Sequence, residues 1–318
     1  MRFLSLLMLL VFTQACAQNT KDPVPFEALW KKDASQYGLD KDFLDRSEQG
    51  QRALISALTG ASPIQDSKSI QRRWTTEERA LSRQYLSKEL EKMGLNTIEL
   101  PYEMNLPQLN KQQNPAKGTN LYAVVESTNG SNEYIVLGAH YDTVEEAPGA
   151  SDNASGCALV YAVAKAMMQQ KQRSKNLMIV FFDKEEIGHA GATAFAQFLL
   201  EQQYNIHSVH TADQVGWDQD GDRNIELELP GPELKAVYRK HAKTFDIKAY
   251  RTNETGSDHK ELRAAGFNAV GITEEYRRGD TSPYHHDPED KFETINFDYL
   301  SFVSYFVFKV LVGLMETN

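Results

Sequence analysis

Cysteine is nearly absent from this chain, which carries only Cys16 and Cys157 in 318 residues. An internal disulfide is therefore excluded in the mature chain, and the fold must depend on a hydrophobic core. Cys157 follows Asp-Asn-Ala-Ser-Gly at the predicted start of a helix. We expect it to be a small buried residue there, because free cysteine is among the most buried residue types.

Positive charge is also scarce, since 34 Lys and Arg residues face 44 Asp and Glu residues and leave a formal net charge of −10. So acidic a chain lacks the electrostatic attraction that nucleic acids require, and nucleic acid is not an expected partner. The 41 % hydrophobic and 25 % charged content is that of a soluble globular protein.

The longest apolar runs lie near the two ends of the chain. The C-terminal run, residues 297–315, is interrupted by Asp298, Ser301, Ser304 and Lys309. These residues favour a terminal helix packed in the fold over a membrane span. We therefore expect no transmembrane segment.

The N-terminal run has the form of a secretory signal: a short basic start, an apolar stretch and small residues up to Ala17. Two endings stay open. Ala15-Cys16-Ala17 is a cleavage site that would release a soluble protein, whereas Thr13-Gln14-Ala15-Cys16 resembles a lipobox that would leave a lipid anchor on Cys16. Residues 1–17 are therefore predicted to be a signal peptide, and the protein to be exported to the periplasm, the cell surface or the extracellular space.

Beyond the signal, apolar strand-like runs alternate with helical patterns. The first helix is predicted to begin at a capping box, Thr75-Thr76-Glu77-Glu78, and to stop at Gly94. The alternation predicts an α/β fold with a largely parallel central sheet. The predicted strands are 97–102, 120–126, 134–139, 177–182, 208–215 and 269–273, and the later helices are 158–168, 191–202, 232–245, 260–265 and 297–315.

No internal repeat or composition break divides residues 18–318, which we predict to be a single domain. Residues 18–70 are polar and mixed, and are expected to form an N-terminal extension with helices packed on the rest. Residues 105–118 are rich in Pro, Asn and Gln and are predicted to be a long loop. Long loops in compact domains are often functional.

The strand predicted at 134–139 runs into His140 and Asp142. Two residues apart, they share one face of an extended chain. A ligating imidazole needs an acceptor on its other ring nitrogen, which Asp142 can supply. The Gly-rich loop that follows contains Asp152, either a helix N-cap or a further acidic ligand.

The strand predicted at 177–182 runs into Glu185 and Glu186, whose carboxylates lie on opposite sides of the chain. One can bind a metal while the other holds a proton of a water molecule. Asp213 lies in the strand-like run 208–215, where a buried charge is costly unless it is paired or coordinated.

A histidine pair, His285 and His286, precedes Pro288-Glu289-Asp290. With the acidic residues at the strand ends it makes up a donor set of two nitrogens and at least three oxygens without sulfur, which suits zinc. A shared aspartate can bridge two ions, an arrangement that clamps the attacking and leaving oxygens in hydrolysis.

Taken in order, these motifs carry a resemblance. They are His-x-Asp at 140–142, Pro-Gly-Ala-x-Asp-Asn-Ala-Ser-Gly at 148–156, Phe-Phe-Asp-x-Glu-Glu-x-Gly at 181–188, Asp213, Ser257-Asp258-His259, and His286 with Pro-Glu-Asp at 288–290. The stretch from Leu121 to Asp290 thus resembles the co-catalytic di-zinc aminopeptidases, metallopeptidase family twenty-eight. The resemblance implies a zinc-exopeptidase-like, three-layer α/β/α fold with a mostly parallel, mixed central sheet.

The resemblance also implies a role for each motif. Glu185 is the implied general base, which takes a proton from the water between the ions and passes it to the leaving amine. A cis peptide bond is implied between Asp152 and Asn153. The implied ligands of two zinc ions bridged by Asp152 are His140 and Asp213 for one ion and Glu186 and His286 for the other.

The segment around the last ligand departs from the family pattern. Relatives often place an aromatic residue just before the ligand histidine, and some use a tyrosine to stabilise the oxyanion. Here His285 holds that place and Tyr284 precedes it, so which of them has this role, and whether His285 replaces His286 as ligand, stay open. The residues expected to orient the ligands or stabilise the transition state are Asp142, Asp258, Tyr284, His285 and Asp290.

The predicted activity is that of an aminopeptidase acting on peptide substrates. A glutaminyl cyclase, a one-zinc transferase on the same scaffold, is the alternative, although the tract 186–195 is more similar to the aminopeptidases. A non-catalytic module is disfavoured because all five ligands and the base are present. A carboxypeptidase would need a basic clamp, for which Arg277 and Arg278 are the nearby candidates. The acidic tract 218–224 is interpreted as a solvated turn, because its glycine does not fall where an EF-hand loop needs it.

Overall fold

A computed structural model of the chain describes residues 41–107, 109–111 and 114–316. The signal peptide predicted at residues 1–17, with the cleavage and lipidation sites around Cys16, lies outside the described residues.

A mixed sheet of eight strands forms the centre of the described part of the chain. The strands are β1 (Thr97–Met104), β2 (Ala116–Val125), β3 (Glu133–His140), β4 (Asn176–Phe182), β5 (Asn205–Ala212), β6 (Ile225–Glu228), β7 (Ala249–Thr252) and β8 (Ala269–Thr273). Their order is β1-β2-β4-β3-β5-β8-β6-β7. The central strands β4, β3, β5 and β8 are parallel, while β2 and β6 join them antiparallel on either side.

Helices cover both faces of the sheet. They are α1 (Lys41–Leu58), α2 (Thr76–Glu91), α3 (Gly156–Met168), α4 (Ala190–Glu201), α5 (Pro232–Thr244), α6 (His259–Ala264) and α7 (Phe297–Glu316). One apolar core lies between the sheet and α1, α2, α3, α5 and α7, and a second lies between the sheet and α4 and α6. The fold is therefore a three-layer α/β/α structure, as expected from the resemblance.

The strand β4 shows why this sequence forms a sheet covered on both faces. Leu177, Ile179 and Phe181 belong to one core, whereas Met178 and Val180 belong to the other. Successive side chains of a strand point to opposite faces, so a continuous apolar run is what a strand buried on both sides requires.

The helix α7 is the one described helix that is long and apolar enough to cross a membrane, and 83 % of its most apolar stretch is buried inside the fold. The sequence interpretation of a packed terminal helix is therefore confirmed. The capping box at Thr75 and Glu78 is also present, although α2 ends at Glu91 and not at Gly94. Cys157 is fully buried, as expected.

Two sequence predictions of elements were wrong in extent. The loop predicted at 105–118 is shorter, because β2 begins at Ala116 and pairs with β1 up to Met104. The strand predicted at 208–215 is β5, which ends at Ala212 and leaves Asp213 just beyond it. In the region 18–70, expected to carry helices packed on the rest, the described part contains the 18-residue helix α1, whose apolar face joins the core.

The short strands β6 and β7 were not predicted from the sequence. Each has four residues, and β6 alternates Ile and Leu with two glutamates. So short an alternation is weak evidence for a strand when no neighbour is known.

Candidate active site

The carboxyl ends of three neighbouring parallel strands bring the predicted site together. His140 ends β3, Asp213 follows β5, and the turn after β4 carries Glu185 and Glu186. Because these strands lie side by side and run in the same direction, their ends meet at one edge of the sheet. Functional groups gather at that edge in open α/β sheets.

Asp152 lies at the centre of the cluster. Its Oδ1 is 3.2 Å from Nε2 of His140, while its Oδ2 is 3.3 Å from Nε2 of both His285 and His286. The helix that follows has Ser155 at its N-cap and no side-chain cap hydrogen bond, so the N-cap alternative for Asp152 is excluded. The peptide bond between Asp152 and Asn153 is cis, as the resemblance implies.

Two groups of donors therefore share Asp152. On one side, Nε2 of His140 also lies 3.4 Å from Oδ1 of Asp213. On the other, Nε2 of His286 lies 3.0 Å from Oε2 of Glu186. The five residues implied as ligands thus converge in the pairing that the resemblance implies.

The two histidines of the pair differ in what they reach. Their rings are 4.0 Å apart and both face Asp152, but His286 also contacts Glu186. His285 instead packs edge-on against the ring of Tyr276. This geometry favours His286 over His285 as the partner of Glu186.

The helix that begins at Gly156 holds Asp152 against the end of β5. Asn153 donates its side-chain amide to the carbonyl of Ala212 and accepts the N–H of Gly156. A Cβ atom at position 156 would lie 2.5 Å from that same carbonyl. The Asp-Asn-Ala-Ser-Gly motif therefore needs glycine, because no larger residue fits this close approach.

Two further aspartates hold the backbone of the site. Asp142 accepts the N–H groups of Glu185 at 3.0 Å and Glu186 at 3.3 Å, and its carboxylate faces Nδ1 of His140 at 3.4 Å. Asp290 accepts the N–H of Asp152 at 3.0 Å and that of Ser151. Both aspartates are buried. Asp142 holds the backbone at Glu185 and Glu186, and Asp290 holds the backbone at Ser151 and Asp152.

Glu185 belongs to a line of side chains behind the cluster. Its Oε1 is 3.3 Å from Nε2 of His189, whose Nδ1 is 3.3 Å from Glu261. Burial raises the pKa of Glu185 well above its usual range, and the buried carboxyl of Asp258 adds to this. Burial likewise raises the pKa of Asp258 well above its usual range.

The site is electrostatically prepared for a cation. Burial and the neighbouring Asp152 raise the pKa of Glu186 to about 7, and Asp152 and Glu186 raise the pKa of His286 to about 10. Among the residues that the structure describes, both ring nitrogens of His140 lack a hydrogen-bond partner, and so do Oδ1 of Asp213 and Oε1 of Glu186. Buried polar atoms of this kind are normally satisfied. Coordination of zinc by Nε2 of His140 and by the carboxylates of Asp213 and Glu186 would satisfy them, while Nδ1 of His140 faces Asp142.

A fully buried arginine, whose role was not predicted from the sequence, supports the loop before Asp152. Arg73 donates to the carbonyls of Leu58, Tyr141, Pro148 and Gly149. It ties the end of α1 to the residue after His140 and to the Gly-rich loop.

We expect Arg73→Met to lower the free energy of unfolding by about 3–5 kcal/mol, because it leaves four carbonyls without their charged donor. Denaturant unfolding in excess zinc measures this. The matched control is Arg72→Met, since the side chain of Arg72 is 39 % exposed, donates to one carbonyl, that of Glu145, and lies 3.8 Å from Glu78; we expect it to cost less than about 1 kcal/mol. Equal losses in the two variants would contradict the role of Arg73.

A cavity of about 200 Å³ opens beside the cluster. Tyr276 and His285 line it together with the predicted ligands, whereas Tyr284 packs edge-on against Trp217. Of the aromatic residues near the site, Tyr276 is therefore better placed than Tyr284 to contact a substrate. Tyr276 follows two glutamates in the sequence, and no local sequence pattern marks it as a site residue.

The acidic tract 218–224 forms a separate group at the surface. The carboxylates of Asp218, Asp220 and Asp222 lie close together, and each accepts an N–H group of its own turn. These contacts fit the interpretation as a solvated turn.

This chain belongs to peptidase family M28, whose family model matches residues 120–310. Residues of the chain are 25 % identical over 170 residues to the aminopeptidase YwaD of Bacillus subtilis, covering 52 % of this chain and 37 % of that protein. They are 27 % identical over 161 residues to the probable lipoprotein aminopeptidase LpqL of Mycobacterium tuberculosis, covering 47 % of this chain and 32 % of that protein. The matched part thus spans only about a third of the length of either relative.

Solved structures establish the fold. The zinc aminopeptidase BSAP from Bacillus subtilis is similar with a TM-score of 0.73 and 14 % identity, over 85 % of this chain and 95 % of that chain. A glutaminyl cyclase from Bacteroides thetaiotaomicron is similar with a TM-score of 0.67 and 19 % identity, over 83 % of this chain and 97 % of that chain. Both activities therefore occur on folds like this one.

Proposed function

We propose that this chain is a zinc-dependent aminopeptidase that removes N-terminal residues from peptides. The observation that carries the proposal is the carboxylate of Asp152, whose two oxygens face two different groups of donors. A carboxylate shared in this way is what a site for two ions requires. Membership of a peptidase family supports peptides as the substrates.

The residues present fit two zinc ions. His140 and Asp213 would hold one, Glu186 and His286 the other, and Asp152 would contact both. When bound, zinc supplies a Lewis acid that polarises the scissile carbonyl and makes a water molecule more acidic.

Glu185 moves the proton in the proposed reaction. Its Oε1 is turned toward His189, which leaves Oε2 for the attacking water. A carboxylate there takes the proton of the water and later gives it to the leaving amine, as general acid–base catalysis requires. The hydrogen bond from its backbone N–H to Asp142 keeps it in place beside the cluster.

Export is part of the proposal. It is supported by the signal-like residues 1–17 and by the similarity to a probable lipoprotein aminopeptidase. Cleavage after Ala17 and lipidation of Cys16 both suit an exported enzyme, and mass analysis of the mature protein distinguishes them.

We expect the purified protein to bind two equivalents of zinc and to hydrolyse aminoacyl amides, with activity lost on chelation and restored by zinc. Metal analysis and release of aminomethylcoumarin from aminoacyl derivatives measure this. A glutaminyl derivative separates the alternative, because a cyclase converts it to the pyroglutamyl derivative with loss of ammonia and frees no coumarin. Binding of fewer than one equivalent of zinc, or formation of the pyroglutamyl product without hydrolysis, would contradict the proposal.

A further inference from the structure

The cavity beside the metal cluster has a second wall that the proposed chemistry does not use. This wall is formed by Glu228 at the end of β6, Glu254 and Ser257 in the loop after β7, and Gln214 and Thr273. Its residues are polar or acidic.

The strand β6 explains why a carboxylate lies in this wall. Ile225 and Leu227 belong to the apolar core, so the alternating residues Glu226 and Glu228 lie on the opposite face. Glu226 accepts the backbone N–H of Arg277. Glu228 is only 7 % exposed and lines the cavity.

The side chain that faces Glu228 leaves room for a donor. Its Oε2 lies 3.3 Å from Nδ1 of His259, whose Nε2 donates to the carbonyl of Glu254. Burial lowers the pKa of His259 to about 4, so the ring is neutral and Nδ1 is an acceptor. The acceptor nitrogen thus faces a carboxyl group whose pKa is raised by burial and by Asp213 to about 8, and a cation bound beside it would favour its ionised form.

A glycine makes this arrangement possible. Gly271 on β8 pairs with Glu228, and a Cβ atom there would lie 2.4 Å from Oε2 of Glu228 and 2.7 Å from Nδ1 of His259. The carboxylate and the imidazole therefore sit over a glycine that a larger residue could not replace without moving them.

Other acceptors of the same wall are buried without partners. Within the described parts of the chain, Oγ of Ser257 and Oε1 of Gln214 make no hydrogen bond. Ser257 is 5 % exposed and Gln214 is 9 % exposed, and both line the cavity. The amide oxygen of Gln214 needs a donor, and the hydroxyl oxygen of Ser257 can accept one as well.

The charge of the wall is only partly balanced. Glu254 lies 2.6 Å from Nε of Arg277, while Glu228 has the neutral His259 beside it. Among the residues that line the cavity in the described chain, the ring of Tyr276 is the only large apolar surface. A lysine or arginine brings a stem that can pack on this ring, together with donors and no acceptor.

We propose that this cavity receives the N-terminal side chain of the substrate and that Glu228 selects lysine or arginine there. The inference rests on the proposed aminopeptidase function and names its substrate class. The ammonium or guanidinium group would donate hydrogen bonds to Glu228, Gln214 and Ser257, and its aliphatic stem would lie along Tyr276.

The test compares lysyl, arginyl, norleucyl and glutaminyl aminomethylcoumarin with the zinc-loaded protein. Norleucine has the lysine stem without the charge, so it isolates the side-chain contribution from that of the α-amino group. We expect kcat/KM for the lysyl substrate to exceed that for the norleucyl one by at least about 10-fold. In Glu228→Gln this ratio should fall by about 10-fold or more, mainly through KM, because the contact exists before the chemical step.

Glu226→Gln is the matched control, since Glu226 lies on the same face of the same strand but does not line the cavity. It should keep the lysyl-to-norleucyl ratio within about 3-fold. A preference of the wild type for norleucyl or glutaminyl substrates would overturn the inference. So would an equal loss for lysyl and norleucyl substrates in Glu228→Gln, because that pattern belongs to a structural role.

Binding of free L-lysine and L-norleucine, measured by calorimetry, separates this inference from the proposed function. One outcome is that the protein binds lysine more tightly than norleucine, loses that preference in Glu228→Gln, and hydrolyses none of the substrates. This result would support the pocket for a basic side chain and contradict the aminopeptidase function. Hydrolysis without any preference for basic residues would do the reverse.

Discussion

Glu185→Gln is expected to lower kcat for aminoacyl amides by about 10²- to 10⁴-fold while the protein keeps its zinc. Glutamine has the shape of glutamate, and its backbone N–H can still donate to Asp142. Its amide cannot accept the proton of the attacking water or return it to the leaving amine. The loss should therefore appear in kcat, with little change in KM.

Glu261→Gln provides the control for this variant. Glu261 lies behind His189, which separates it from Glu185, so we expect an effect below about 10-fold. Metal analysis of both variants must find the zinc content of the wild type, since loss of zinc would explain inactivity without any base. Full activity of Glu185→Gln would remove the assignment of the base.

The convergence of the metal cluster could be predicted from the sequence because the relevant signals are local. His140, Glu185 and Glu186 follow apolar runs that can only be buried strands, and parallel strands bring their ends to one edge. Asp213 was expected inside a strand but lies just after β5. This error does not separate Asp213 from the cluster, because the other proposed ligands also lie at or just beyond the ends of strands.

The histidine pair shows where such reasoning stops. The sequence places His285 and His286 in a turn, but which ring reaches Glu186 depends on the backbone of that turn. His286 has a φ of +57°, a conformation that non-glycine residues adopt only sparingly. Sequence spacing alone does not predict that conformation, so the choice between the two rings had to come from the structure.

Residues whose surroundings come from several segments were missed for a different reason. Arg73 lies in a polar stretch of the sequence, which predicts an exposed side chain because arginine is seldom fully buried. Its four carbonyl partners come from segments that the fold alone brings together. Glu228 was missed likewise, since β6 is recognisable only once β8 is known to lie beside it.

Asp152→Asn is expected to reduce bound zinc from two equivalents to one or fewer and to lower kcat/KM by at least about 10³-fold. The two carboxylate oxygens of Asp152 face different donors, Oδ1 toward His140 and Oδ2 toward His286. An amide replaces one oxygen by an NH₂ group, which donates and cannot ligate. Only one of the two groups of donors would then keep its shared ligand.

The acidic turn supplies the matched control for this variant. Asp218, Asp220 and Asp222 form the other described group of carboxylates close enough to hold an ion. Asp222→Asn should leave both zinc equivalents and the activity in place if the two ions bind at Asp152. If Asp222→Asn lost the second equivalent of zinc and Asp152→Asn retained it, that ion would be assigned to the acidic turn. The cluster would then be a one-zinc site, and the balance between the two candidate activities would shift toward the cyclase.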